Sequence, residues 1–228
     1  MLLCLAAFAG FLAAAMVVYP GGNWLDRRAV GHRFFANFLC DLTQPISLSG
    51  VNNSLGAVLA QIGMLFFALA LAGFFALVPA HFSAGSRVAR WVRGLGVCAV
   101  LCFVAVPFTP SERFGRVHAA LALTAGSLGI AAALCAMAAL LAAQRRALVA
   151  LGALSLAAGT LEAVLFAYHL GDEAPPPLLV PAIQKLAAAL LSGWIVAVAA
   201  GVLLEVSGSR HDVRTRSRSS SNLPPTVP

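Results

Sequence analysis

Six stretches of this chain, residues 2–19, 54–79, 88–108, 117–143, 147–170 and 178–204, are long, apolar and nearly free of charge. A helix needs about 20 mostly apolar residues to cross the hydrocarbon core of a bilayer. Inside that core every backbone N–H and C=O must be satisfied within the segment, so a run of this kind is read as a helix. With 61% hydrophobic and 10% charged residues and a mean hydropathy of +0.91, the chain lies far from a soluble domain, which carries about 25% charged residues. The expected architecture is all-α: a polytopic six-helix membrane bundle over residues 1–206, followed by a basic tail at 207–228. That tail is rich in Ser, Arg and Pro without apolar periodicity, a composition that predicts disorder.

The net charge of +7 is a topology signal and not a nucleic-acid footprint. With the N-terminus in the cytoplasm, nine arginines fall inside: Arg87, Arg90, Arg93, Arg145, Arg146, Arg210, Arg214, Arg216 and Arg218. Five fall outside: Arg27, Arg28, Arg33, Arg113 and Arg116. The excess of Lys and Arg near span ends marks the cytoplasmic side. Both termini are therefore expected in the cytoplasm, in a bacterial inner membrane, with membrane lipids as partners and no nucleic acid. The first stretch also admits reading as a signal peptide with a small-residue cleavage site near Ala13–Ala15, although it has no positive n-region. Of the five cysteines, Cys4, Cys98, Cys102 and Cys135 lie in spans and only Cys40 faces outside, so no disulfide framework is expected.

Outer connections are richer than inner ones. The first, residues 20–53, contains "GHRFFANFLCDL" at 31–42. On a helix, Phe34, Phe35, Phe38, Leu39 and Leu42 make one apolar stripe, while Arg33, Asn37 and Asp41 lie four apart on another face. This pattern predicts an amphipathic interfacial helix. A sharper version makes it a lid over the outer mouth of the bundle that aims Asp41 inward. Small residues crowd "ALTAGSLGIAAALCAMAALLAA", where Gly126 and Gly129 are expected to let helices pack closely.

Ionisable groups inside a span are expensive and are functional candidates by default. Glu162 lies eight residues before Leu170, and Lys185 seven after Leu178; Gln61 lies seven residues into the second stretch, and Gln184 adjoins Lys185. At 1.5 Å per residue all four share one depth, about 10–12 Å below the outer surface. Nearer that surface come His118 and His169. The blander readings are a Glu162–Lys185 ion pair and interhelical hydrogen bonds from the two glutamines. Two chemistries suit the cluster. In the first, an outward-open polar pocket binds a lipid headgroup or small amphiphile, with Glu162 and Lys185 as its charged floor and Asp41, His118 and His169 at its mouth. In the second, a metal-dependent intramembrane hydrolase uses Asp41, His118 and His169 as zinc ligands and Glu162 as base. No local H-E-x-x-H pair, GxSxG elbow, P-loop or dinucleotide fingerprint is present. A ligand-free scaffold is the third reading.

The blocks "NFLCDL" (37–42), "VNNSLG" (51–56), "FTPSERFGRVH" (108–118) and "PAIQKL" (181–186) resemble the bacterial six-span membrane proteins of domain of unknown function 998. That family is similar to the eukaryotic Frag/DRAM/Sfk membrane proteins. Cys40 stands where the family pattern has Ser, and Glu112 where it commonly has Asp. The resemblance implies six spans, Asp41 and His118 as recurring polar positions, and a lipid-related role.

Overall fold

The computed structural model describes residues 1–81, 86–170 and 179–220, with side chains described except at 80, 81 and 202–220. The third outer connection with Asp172 and Glu173, most of the first inner loop and the last eight residues of the chain lie outside the described residues. Among the described residues there are seven helices: α1 (Leu2–Val18), α2 (Ser54–Leu77), α3 (Arg87–Ala105), the one-turn α4 (Ser111–Phe114), α5 (Arg116–Ala142), α6 (Arg146–His169) and α7 (Leu179–Ser220). Short 3-10 segments occupy Leu39–Thr43, Val78–His81 and Val106–Phe108. Among the described residues the only β pairing is two isolated bridges, Gly21 to Val30 and Ile46 to Asn52. The protein is an all-α membrane bundle.

Five helical segments are long and apolar enough to cross a bilayer: Ser54–Leu77, Arg87–Phe108, Arg116–Ala142, Arg146–His169 and Leu179–Gly201. The first helix is equally apolar, but its 17 residues stand at the lower edge of the spanning range. Beyond Gly201, α7 runs on to Ser220, so its backbone stays helical through residues 207–220 of the expected tail.

Consecutive helices pair most extensively as α1 with α2, α3 with α5 and α6 with α7, so the bundle is built from three antiparallel hairpins. Aromatic stacking holds the first pair: Phe8 lies on Phe67 with ring centroids 4.5 Å apart, and Phe11 lies on Phe66 at 5.8 Å. At one end the three hairpins close on a solid apolar core of Val78, Val92, Leu140, Ile195 and Val198, each fully or almost fully buried. Phe74 and Trp194 sit above it with centroids 4.9 Å apart. Gly96 and Gly152 make this closure possible, since a Cβ on either would strike the Phe75 or the Trp194 ring.

Residues 20–53 cover the opposite end as a compact cap. The chain leaves α1 through Gly22 at φ +82°, where a Cβ would collide with the Leu48–Ser49 backbone; only glycine suits this position. The amphipathic helix expected over 31–42 does not form. A turn closes on Arg33, whose carbonyl accepts from the Ala36 and Asn37 N–H groups, and a five-residue 3-10 segment follows. The physical reason is competition by short polar side chains for the backbone. Asn37 Oδ1 accepts from the Arg33 N–H at 2.9 Å, and Asp41 Oδ2 accepts from the Phe38 N–H at 2.8 Å. Together they divide the stretch in two. Phe34 and Phe35 remain exposed, whereas Phe38, Leu39 and Leu42 are buried, so the apolar stripe is split between the surface and the core.

Candidate functional site

Beneath the cap, where the three hairpins meet, lies a cavity of about 280 Å³. Its roof is Leu39, Cys40 and Thr43 from the cap, and its base reaches Phe74 and Trp194. Along α5 the lining runs from His118 to Ala133, a length of about 22 Å at 1.5 Å per residue. The walls are apolar for most of that length. Small residues of α5 and α6 create the space: Gly126 and Gly159 line it, and a Cβ added to either would meet nothing within 4 Å. A Cβ on Gly129 would meet only the Ala99 Cβ, at 4.0 Å. Gly129 thus sits where α5 packs closely on α3, whereas at Gly126 the missing side chain leaves room in the void.

Polar groups collect at the cavity's outer end. His118, on the first turn of α5, is buried with Nδ1 2.7 Å from the Thr109 carbonyl. A carbonyl only accepts, so Nδ1 carries a proton, and in the neutral ring Nε2 is then the acceptor. Glu162 reaches the cavity from α6, with the Gln184 side chain beside it. Gln184 in turn accepts the Leu39 N–H at 2.7 Å and points its Nε2 at Cys40 Sγ at 4.0 Å, tying the roof to α7. Burial pushes the Cys40 thiol up to about 12, so at neutral pH it is a weak polar lining group and not a thiolate nucleophile.

The remaining residues of the polar layer are elsewhere. Lys185 turns away from Glu162 and into the cap. Its Nζ donates to the Asn37 carbonyl and, at 3.3 Å, to the Pro181 carbonyl, and it lies 5.2 Å from the Phe34 ring centroid. Among the described residues the one ion pair is Arg27–Glu112, at 3.4 Å on the surface, so the expected Glu162–Lys185 pair does not form. The reason is reach: the cap presents the Asn37 carbonyl above Lys185, and the ammonium bonds to it and to the Pro181 carbonyl of its own helix. Asp41 is likewise committed to the cap. It is 2% exposed, and its carboxylate accepts from Trp24 Nε1 at 3.2 Å, Asn37 Nδ2 at 3.2 Å and the Phe38 N–H. Desolvation nevertheless raises its pKa to about 6. Gln61 donates to the Pro107 carbonyl at 3.2 Å and acts as an interhelical tie. His169, at the end of α6, is half-buried edge-on to Tyr168.

Of the seven expected site residues, the fold therefore brings His118, Glu162 and Gln184 to one cavity and leaves out Asp41, Gln61, His169 and Lys185. No three His, Cys, Asp or Glu side chains among the described residues are placed to hold a metal ion. The Asp41–His118–His169 triad is not assembled, because Asp41 is spent on cap hydrogen bonds and His118 on Thr109. Ser155 and Trp194, both buried lining residues, were missing from the expected site. A tryptophan in mid-span, away from the interfacial belt that usually holds this residue, was the available signal. No family model, curated protein or solved structure matches this chain.

Proposed function

We propose that the protein binds a single-chain amphiphile whose polar head is a hydrogen-bond donor or cation, with the chain lying along the apolar cavity and the head at Glu162 and Gln184. The observation that carries this reading is the position of Glu162. It is the acidic group on the wall of a largely apolar cavity, and the chain's one lysine, Lys185, is engaged by the cap. Intramembrane charges ordinarily pair with one another, and a buried carboxylate without a cation is costly. An ammonium head restores the missing partner. The unprotonated Nε2 of His118 supplies a second acceptor at the same end, and the roof residues Leu39 and Cys40 exclude water from the head.

The finer topology belongs to the same proposal. The 17-residue α1 is the sixth span, both termini lie in the cytoplasm of a bacterial inner membrane, and the cap faces outward. Arginine placement supports this orientation. The chain is further proposed to be a relative of the six-span proteins of domain of unknown function 998, on the sequence blocks given above.

Binding of octadecylamine and octadecanoic acid to the protein in nanodiscs tests the reading. The amine is expected to bind, the acid to bind at least tenfold more weakly, and Glu162→Gln to remove the difference. Equal binding of the two, unchanged by Glu162→Gln, would refute the assignment.

A further inference from the structure

At the inner end of the cavity two hydrogen-bonding groups have no use within the fold. Trp194 is fully buried, and its Nε1 has no hydrogen-bond partner. The indole is held in place by Phe74 on one side and by the α6 backbone at Gly152 on the other, where a Cβ would come within 3.1 Å of Nε1. Ser155 lies three residues beyond Gly152, on the same face of α6. It is 6% exposed and lines the cavity, and its hydroxyl has no hydrogen bond among the described residues. A serine in a membrane helix commonly returns its hydroxyl to the carbonyl four residues back. Ser192 does so here, donating to Ala188 at 2.8 Å, whereas Ser155 does not. A buried donor left unmade is expensive, and a native fold rarely keeps one without a reason.

We infer that Trp194 Nε1–H and Ser155 Oγ form a second polar station, which takes an oxygen acceptor carried part-way along the ligand's chain. The inference rests on the amphiphile reading above and narrows its ligand class. Glu162 is seven residues from Ser155 on α6, and Gln184 is ten from Trp194 on α7, so the two stations are about 10–15 Å apart along the helices. The ligand is therefore a long-chain amine bearing a keto, hydroxyl or ether oxygen at that distance from its head. A plain alkyl chain fills the same space but leaves the indole N–H unpaired. The apolar wall between the stations, where Gly126 and Gly159 leave room, carries the intervening methylenes. Hydrogen-bond geometry at the inner station then fixes how deeply the chain enters, which apolar packing alone leaves undetermined.

The test compares octadecylamine with its mid-chain keto analogue, measured in nanodiscs on the wild-type protein, Trp194→Phe and Ser155→Ala. Phenylalanine keeps an aromatic ring and removes the N–H, and thermal unfolding of each variant reports whether it folds. The keto analogue is expected to bind wild type about tenfold more tightly, the worth of one good buried hydrogen bond. Trp194→Phe should abolish most of that preference and Ser155→Ala part of it, the preference being read as the ratio of the two affinities within each variant. Equal affinities in wild type, with octadecylamine still binding through Glu162, would overturn the second station and leave the headgroup assignment intact. A preference that persists in both variants would also overturn it. If neither amine binds, the amphiphile reading falls and takes this inference with it.

Discussion

The cap and the cavity beneath it use polar residues in opposite ways. In the cap, Asn37, Asp41 and Asn53 are buried and bonded to backbone and to each other: Asn53 Nδ2 alone holds the Leu42 and Gln44 carbonyls at 3.1 and 2.9 Å. Further ties run outward to the bundle, from Gln44 Nε2 to Ser111 Oγ at 2.6 Å and from Lys185 to Asn37. Asn53 Oδ1 and His32 Nε2 are the cap's unpartnered buried atoms. In the cavity Glu162 and Ser155 line the void, and Trp194 Nε1 is buried beside it without a partner. A loop without regular structure has to satisfy its backbone through side chains, which explains the first pattern. The second has no counterpart in folding, and it separates groups that hold the protein together from groups that await a ligand.

Substitutions should expose this difference. Asp41→Ala strands the Trp24, Asn37 and Phe38 donors and leaves Lys185 without its nearest acid, so unfolding free energy should fall by about 3–5 kcal/mol. Glu162→Gln keeps the side chain's shape and its place beside Gln184, and should change that free energy by less than about 1 kcal/mol. Chemical denaturation of both variants checks the contrast, and equal losses would erase the distinction between the regions.

Acidity probes the cap alone. Because the folded-state pKa of Asp41 is raised to about 6, against about 3.9 in an unfolded chain, the folded protein binds the extra proton between these values. Its contribution to stability is therefore fully present below about pH 4, declines as pH rises to about 6, and is flat above. The decline is on the order of 3 kcal/mol, at about 1.4 kcal/mol per pKa unit. His32, held down to about 4 by burial in the same cap, gives the opposite slope over this range, so the Asp41 contribution is read as the difference between two profiles. In thermal melts between pH 4 and 7, Asp41→Asn should gain stability relative to wild type as pH rises, and parallel profiles would place the titration elsewhere.

Glycines give the smallest and sharpest contrast. At Gly96 a Cβ would run into the Phe75 ring, and Gly96→Ala should destabilise by about 1–3 kcal/mol through overpacking. At Gly126 the same change adds a methyl to open space and should stabilise by up to about 1 kcal/mol through helix propensity. Melting temperatures of the two variants report the sign directly.

The apolar runs made the bundle legible in the sequence, because the bilayer leaves a helix as the only way to satisfy such segments. Depth was legible in part: counting residues from span ends brought Glu162 and Gln184 to one level and put His118 nearer the surface, and the fold gathers all three at one end of the cavity. Side-chain direction was not. Lys185 adjoins Gln184 in sequence, yet successive helical residues point about 100° apart, and the cap carbonyls that capture Lys185 come from 148 residues away. The 31–42 stripe misled because periodicity ignores side chains that bond to their own backbone, as Asn37 and Asp41 do. Gly126 misled differently. A small residue signals either close packing or vacant space, and only the positions of neighbouring helices decide which.

The most direct test of a ligand-holding cavity is native mass spectrometry of the detergent-purified protein and of Gly126→Leu, a change that fills the void without a clash at Cβ. Wild type is predicted to retain an amine-bearing amphiphile, Gly126→Leu to have lost it, and the two to melt within a few degrees of each other. A wild-type protein without any bound amphiphile, or the same adduct on both proteins, would contradict the account.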